Sequence, residues 1–265
     1  MTAIVSTPAA TGASSVGFLA GFGGLLRKEL TEWRRGSRTW IVFLVSAAFM
    51  TLTALNTWLQ ANLPEEAIEG APAPVLDPFM NLLTGVSSQI FVIAAIFAVM
   101  ALITAERESG TLAWTASKPV SRSAIWVSKF VASSAVLFVA AAVLPLVATV
   151  ILVLALYGPL PVLPVVVLAI GMGMAIVLYV AVALTASTSV SSQAAVAGIA
   201  IGFIFLPQFL GVIVPNMEFL PQSILQWSML TAAGESVGTV TVVYWVVTVV
   251  ALVATAGRRM ERLEL

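Results

Sequence analysis

Cysteine and histidine are both absent from the 265 residues. Their absence excludes disulfides, Cys/His zinc sites, haem attachment through cysteine, Ser-His and Cys-His nucleophiles and any imidazole proton relay. Charge is scarce too: 9% of the residues are Asp, Glu, Lys or Arg, where a soluble domain keeps roughly a quarter charged to hold a solvated surface. No G-x-x-x-x-G-K-[ST] run occurs, so a phosphate cradle of that kind is missing. Net charge is zero, which points to no nucleic-acid partner.

What the chain has in abundance is apolar length. Sixty per cent of the residues are hydrophobic and the mean hydropathy is +1.06, a surplus that must face lipid rather than one packed core. Six stretches are long enough to cross about 30 Å of hydrocarbon at about 1.5 Å per residue. They are 40–59, 80–104, 125–156, 161–185, 194–214 and 237–256. The third is over-long, so its start, with Lys129, reads as a helix outside the bilayer or a tilted entrance to it. Pro145 is expected to kink it. The remaining spans carry no Asp, Glu, Lys or Arg. A charge at the bilayer centre costs roughly 2.5–3.5 kcal/mol and survives mainly where function requires it, so charge-free spans count against a self-powered pump or antiporter.

The positions of the charges set a topology. Lys and Arg occur at 27, 28, 34, 35 and 38, at 107, 118, 122 and 129, and at 258, 259 and 262. All precede span 1, separate spans 2 and 3, or follow span 6. The other loops hold Glu65, Glu66, Glu69, Asp77, Glu218 and Glu235 and no basic residue. Positive residues stay on the cytoplasmic side. The reading is therefore an all-α integral membrane protein of six spans with cytoplasmic N- and C-termini, in the plasma membrane. Residues 1–16 read as a disordered tail without a basic n-region, not as a signal peptide. Residues 17–265 form one transmembrane domain.

Two segments at the basic side carry specific patterns. Ahead of span 1, Leu19, Phe22, Leu26, Leu30 and Trp33 recur at helical spacing. Arg27, Lys28, Thr31, Glu32, Arg34 and Arg35 fall mostly opposite them. This predicts an amphipathic helix lying in the membrane interface. Between spans 2 and 3, Gly110 is expected to stop one helix, Pro119 to break the chain again and Ser121 to cap the helix leading into span 3. Residues 111–117 then form a short helix between two breaks.

These two segments resemble the permease subunits of ABC-2 type ABC transporters. The family pattern E-x-E-x-G-T-L is matched by Glu106, Glu108, Gly110, Thr111 and Leu112. S-x-P-[VI]-S-R is matched by Ser117, Pro119, Val120, Ser121 and Arg122, and a following Lys by Lys129. Arg27, Lys28, Glu29 and Leu30 resemble the family's R-K-E-[LF]. The resemblance implies an exporter powered by separate ABC ATPase subunits in two copies, which bind ATP and Mg while this chain binds no cofactor. It implies a second permease chain, identical or not. It also implies that the loop between spans 2 and 3 is a coupling helix seated on the ATPase. The contact is expected from Glu106, Glu108, Gly110, Thr111, Leu112, Trp114, Pro119 and Arg122, with the charged groups pairing and Leu112 and Trp114 as buried anchors.

Other readings stay open at this level. An ATP-independent carrier, channel or membrane scaffold predicts no docking loop. Glu65-Glu66 invites a glutamate-dependent membrane protease, but such enzymes also use histidine. Residues 215–235 are apolar for a loop, and read either as a short helix at the outer interface or dipping into it, or as a loop packed on a partner. Gly171 and Gly173 are expected to allow close helix packing. The hydroxyl-rich turn at 185–192 is a candidate second ATPase contact. Nothing in the spans identifies the cargo.

Overall fold

The computed structural model describes residues 19–62, 77–211, 220 and 223–262, and every regular element among them is helical. The expected tail, Glu65, Glu66, Glu69 and Glu218 lie outside the described residues, as do 215–219, 221 and 222 of the apolar loop.

Helix α1 (Phe22–Arg35) leads through Gly36 into α2 (Ser37–Asn62). The second apolar stretch was expected to be one helix and is three: α3 (Pro78–Ser87), α4 (Ile90–Val99) and α5 (Thr104–Glu108). Its start is well specified, because Asp77 Oδ1 accepts from the Met80 N–H at 2.8 Å and Pro78 occupies the first turn. Its break is local chemistry. The Ser87 and Ser88 hydroxyls donate back to the Thr84 and Gly85 carbonyls at 2.8 and 2.9 Å, and Gln89 then takes a left-handed φ of 54°.

The short α6 (Thr111–Ala116) follows, then α7 (Arg122–Leu137). The kink expected at Pro145 is realised upstream as a π-helical turn, Phe138–Val143, before α8 (Leu144–Leu156). The wider winding is the way a helix accommodates a residue that supplies no N–H and crowds the carbonyl four before it. The remaining elements are α9 (Val162–Ser187), α10 (Gln193–Gly211), α11 (Ile224–Ala232) and α12 (Val240–Arg262).

Among the described residues five helical stretches are long and apolar enough to cross a membrane: Ser37–Gln60, Pro78–Glu108, Arg122–Leu156, Val162–Ser187 and Val240–Arg262. The chain is a multi-pass membrane protein. The expected span at 194–214 corresponds to α10, whose apolar part, Gln193–Leu206, is shorter, and 212–214 lie outside the described residues.

Helix α9 is the hub. It packs against α4, α7, α10, α11 and α12, and every residue from 178 to 188 is buried. Its second half is enclosed and can be apolar all round, whereas Val162, Leu163 and Val166 in its first turns are exposed. Its two glycines serve close approach. A Cβ at Gly173 would come within 2.6 Å of the Phe138 ring in the π-helical turn, and one at Gly171 would collide with Ser228 on α11. The loop after α10 thus sends a helix back onto α9 within the chain itself. Gly171→Val is expected to lower stability by about 1–3 kcal/mol through overpacking, read as a lower unfolding temperature in detergent. Adding Ser228→Gly should recover part of the loss, and an unchanged unfolding temperature in the single variant would refute the α9–α11 contact.

Candidate functional site

The basic segments converge on one end of the bundle. Helix α1 lies along α7, and the Ser121 N–H donates to the Ala20 carbonyl at 3.1 Å. Val120 packs onto Gly21, which holds a φ of 82° and leaves no room for a side chain beside the Val120 methyl. Ser121 caps α7, accepting from the Ala124 N–H at 3.1 Å as its position ahead of the helix predicts. At the far end of the chain, Arg122 donates from Nη1 to the Glu261 carbonyl at 3.3 Å, and Arg259 hydrogen-bonds the Ser189 hydroxyl. The hydroxyl-rich turn is therefore tied to α12, with Thr185, Ser187 and Thr188 buried.

At the centre of this end is a charge cluster. Lys129, in the second turn of α7, is only 1% exposed. Its Nζ lies 2.8 Å from Glu29 Oε1 on α1 and 2.8 Å from Glu106 Oε1 on α5. Glu29 is itself 3% exposed. Lys28 stands 4.0 Å from Glu29 and 3.9 Å from Glu106, so two carboxylates meet two ammonium groups. A buried charge without a partner is costly, and short hydrogen-bonded contacts offset that cost. One lysine thus fastens three helices that are separate in sequence.

This geometry reassigns part of the expected apolar face of α1. Phe22, Leu26 and Leu30 are half-buried against the core as their spacing predicts, but Leu25, Glu29 and Trp33 are its buried centre. Leu19 precedes the helix and is exposed, as are Arg27 and Lys28. The helix packs this face on α7 within the protein. Glu29 was missed as a site residue because an acid on a stripe of leucines reads as an interruption. The available signal was its phase: it lies four residues after Leu25 and four before Trp33.

The loop residues divide into an inner and an outer set. Gly110, at a φ of 71°, separates α5 from α6. Leu112 is fully buried in its own chain, so the expectation that it anchors a partner is corrected: no surface of it is free. Glu106 is occupied by Lys129, and Arg122 by the Glu261 carbonyl among its contacts. Outward-facing are Glu108, Thr111, Trp114, Lys118 and Pro119. Trp114 is 63% exposed, with Lys118 Nζ 3.7 Å from its ring centroid. A cation over an indole face in an exposed position contributes about 0.5–1 kcal/mol, enough to hold the ring in place but not to hide it. Among the described residues no group of three or more Asp or Glu side chains is arranged to hold a metal ion.

The protein family described as "ABC-2 family transporter protein" matches residues 24–230. That interval runs from α1 to α11 and includes the charge cluster and the whole of the α5–α6 loop. No curated protein sequence matches the chain.

Proposed function

The chain belongs to the ABC-2 family of transporter proteins, and we propose that it is the six-span permease subunit of an exporter driven by a separate ATPase. In this reading α10 (Gln193–Gly211) is the fifth of the six spans. The basic end of the bundle lies in the cytoplasm with both termini, a placement that the distribution of Lys and Arg supports. Residues 17–265 form one transmembrane domain, two such chains face each other, and each receives one ATPase subunit. ATP and Mg belong to that subunit; the permease itself performs no bond chemistry.

The observation that carries this reading is the exposed strip on the α5–α6 loop. Glu108, Thr111, Trp114, Lys118 and Pro119 present an indole flanked by charges of both signs, which suits a groove of mixed character on a partner. Beneath the strip, Leu112 and Thr115 are buried and Glu106 is pinned to Lys129. A push on α6 would therefore reach α1 and α7 as a rigid displacement. Closure of the ATPase pair would move the spans between inward and outward access by that route.

Two measurements test the proposal. Gentle purification of the tagged chain from its host should bring down a stoichiometric ATPase with nucleotide-binding motifs, captured by crosslinking from Ser117→Cys. A chain that elutes alone under those conditions would favour an ATP-independent carrier, channel or scaffold. For sidedness, an impermeant thiol reagent applied to intact cells should label Glu235→Cys, in the exposed loop before α12, and spare Ser117→Cys. The reverse labelling would overturn the orientation.

A further inference from the structure

The second span is interrupted where a membrane tolerates it least. A Cβ at Gly85 would lie 3.3 Å from the Met50 carbonyl oxygen, so α3 and α2 share a level there. Met50 stands ten residues after Trp40 and eight before Trp58, and indoles at the two ends of a span favour the two headgroup layers. Gly85 is therefore about 12–15 Å from either layer at about 1.5 Å per residue, close to the middle of the hydrocarbon. The break between α3 and α4, at Ser88 and Gln89, follows within about 6 Å.

The rest of the chain does not cover this break. Met80, Thr84 and Ser87 form an exposed face of α3, and Ser88, Gln89 and Ile90 are half-buried, while Leu82, Leu83 and Val86 pack into the core. The Thr84, Ser87 and Ser88 hydroxyls donate to carbonyls of their own helix. Gln89 does not cap α4. Among the described residues its carboxamide, the Ile90 N–H and the Ser87 and Ser88 carbonyls have no hydrogen-bond partner. Lipid supplies none, and irregular backbone at this depth survives only where it is enclosed in protein or lines water. A second copy offers little to pair with it. The large exposed side chains near mid-span, such as Phe49 and Leu52 on α2 and Val246 and Val247 on α12, are apolar.

We infer that the α3–α4 break lines the transport path, as a hydrated station midway across the membrane that takes uncharged hydrogen-bonding groups of the cargo, hydroxyls or amides. The Gln89 carboxamide both donates and accepts, the Ile90 N–H donates and the Ser87 and Ser88 carbonyls accept. Such a set can replace the water around a neutral polar group. No Asp, Glu, Lys or Arg lies between Asp77 and Glu106. A charged group at this depth would lose its water and meet no counter-charge on this span. That the solute is cargo rests on the permease reading above; the hydration of the break does not.

The chain contains no cysteine, so single thiols can be introduced without background. Ser87→Cys is compared with Leu52→Cys and Val247→Cys, both at exposed positions on apolar faces. Each full-length variant is reconstituted without an ATPase in lipid nanodiscs and treated with 2-hydroxyethyl methanethiosulfonate, a neutral polar reagent. The thiolate is the reacting form, and apolar surroundings suppress it. Ser87→Cys should therefore react at least about tenfold faster than either control, the effect of one unit in thiol pKa. If Ser87→Cys disturbs the break and lowers the unfolding temperature, Thr84→Cys, one turn earlier on the same face, carries the test. A rate as slow as the controls would make this face a lipid contact and overturn the inference. Disulfide formation between two Ser87→Cys chains in place of labelling would make it a seam between copies, with the same consequence. A cationic trimethylammonium reagent should lag behind the neutral one, each scaled to its rate at Glu235→Cys; equal scaled rates would refute the uncharged class. Because no ATPase is present, failure here is distinct from failure of the permease reading.

Discussion

Lys129→Met is expected to cost about 3–5 kcal/mol of stability, the range for breaking a buried ion pair on one side. The substitution preserves volume and leaves Glu29 and Glu106 facing one another with only the half-exposed Lys28 nearby. The chain should then insert poorly or unfold at a markedly lower temperature in detergent. A triple variant, Lys129→Met with Glu29→Gln and Glu106→Gln, separates the charge effect from packing. Replacing a buried ion set as a whole is often close to neutral, so most of the loss should return. If the single variant is as stable as the parent, the cluster is wet and holds no helices together. If the triple variant is no better than the single, the lysine's stem, not its charge, is what matters.

Trp114→Ala is expected to weaken ATPase binding by at least about 2 kcal/mol, or roughly thirtyfold in Kd, the usual effect of truncating a central aromatic anchor. The side chain is 63% exposed in the isolated chain, so the fold should be untouched. That pairing is diagnostic: an unchanged unfolding temperature with lost affinity belongs to an interface residue, whereas loss of both belongs to a structural one. Glu108→Lys, also at an exposed position, should reduce the association rate and alter its salt dependence more than it shortens the complex's lifetime. Titration of an isolated ATPase subunit onto nanodisc-embedded variants would read both. Parental affinity in Trp114→Ala would move the contact off α6 and leave the buried face of the loop as a purely internal brace.

Leu112 and Trp114 show how far a pattern of residue types can go. Both are large and apolar within one short helix, so both read as anchors, yet one is fully buried in its own chain and the other stands in solvent. A five- or six-residue helix has too few turns to define a face by periodicity. Only the packing of α6 on its neighbours separates the two. The break at Gln89 was hidden for a similar reason. Stretches of apolar residues report depth in the bilayer, and Ser87-Ser88-Gln89 is too short a polar interruption to disturb an average over a span. By contrast Gly110, Pro119 and Ser121 were legible one residue at a time. A left-handed turn, a missing N–H and a capping hydroxyl act on the backbone within three or four residues of themselves.

The sequence by itself determined the membrane class, the approximate span positions, the grouping of basic residues around alternate loops and the punctuation of the α5–α6 loop. Each of these rests on energies that are local to a residue or additive along a stretch: transfer into hydrocarbon, charge retention during insertion and backbone preference. The tertiary structure alone decided that Lys129 donates both to Glu29, one hundred residues away, and to Glu106, that α1 turns Glu29 inward, and that α11 folds back onto Gly171 of α9. Those outcomes depend on which helix faces pack together. An ion pair between distant helices has no periodicity of its own, and its worth exists only once the surrounding packing has removed the water.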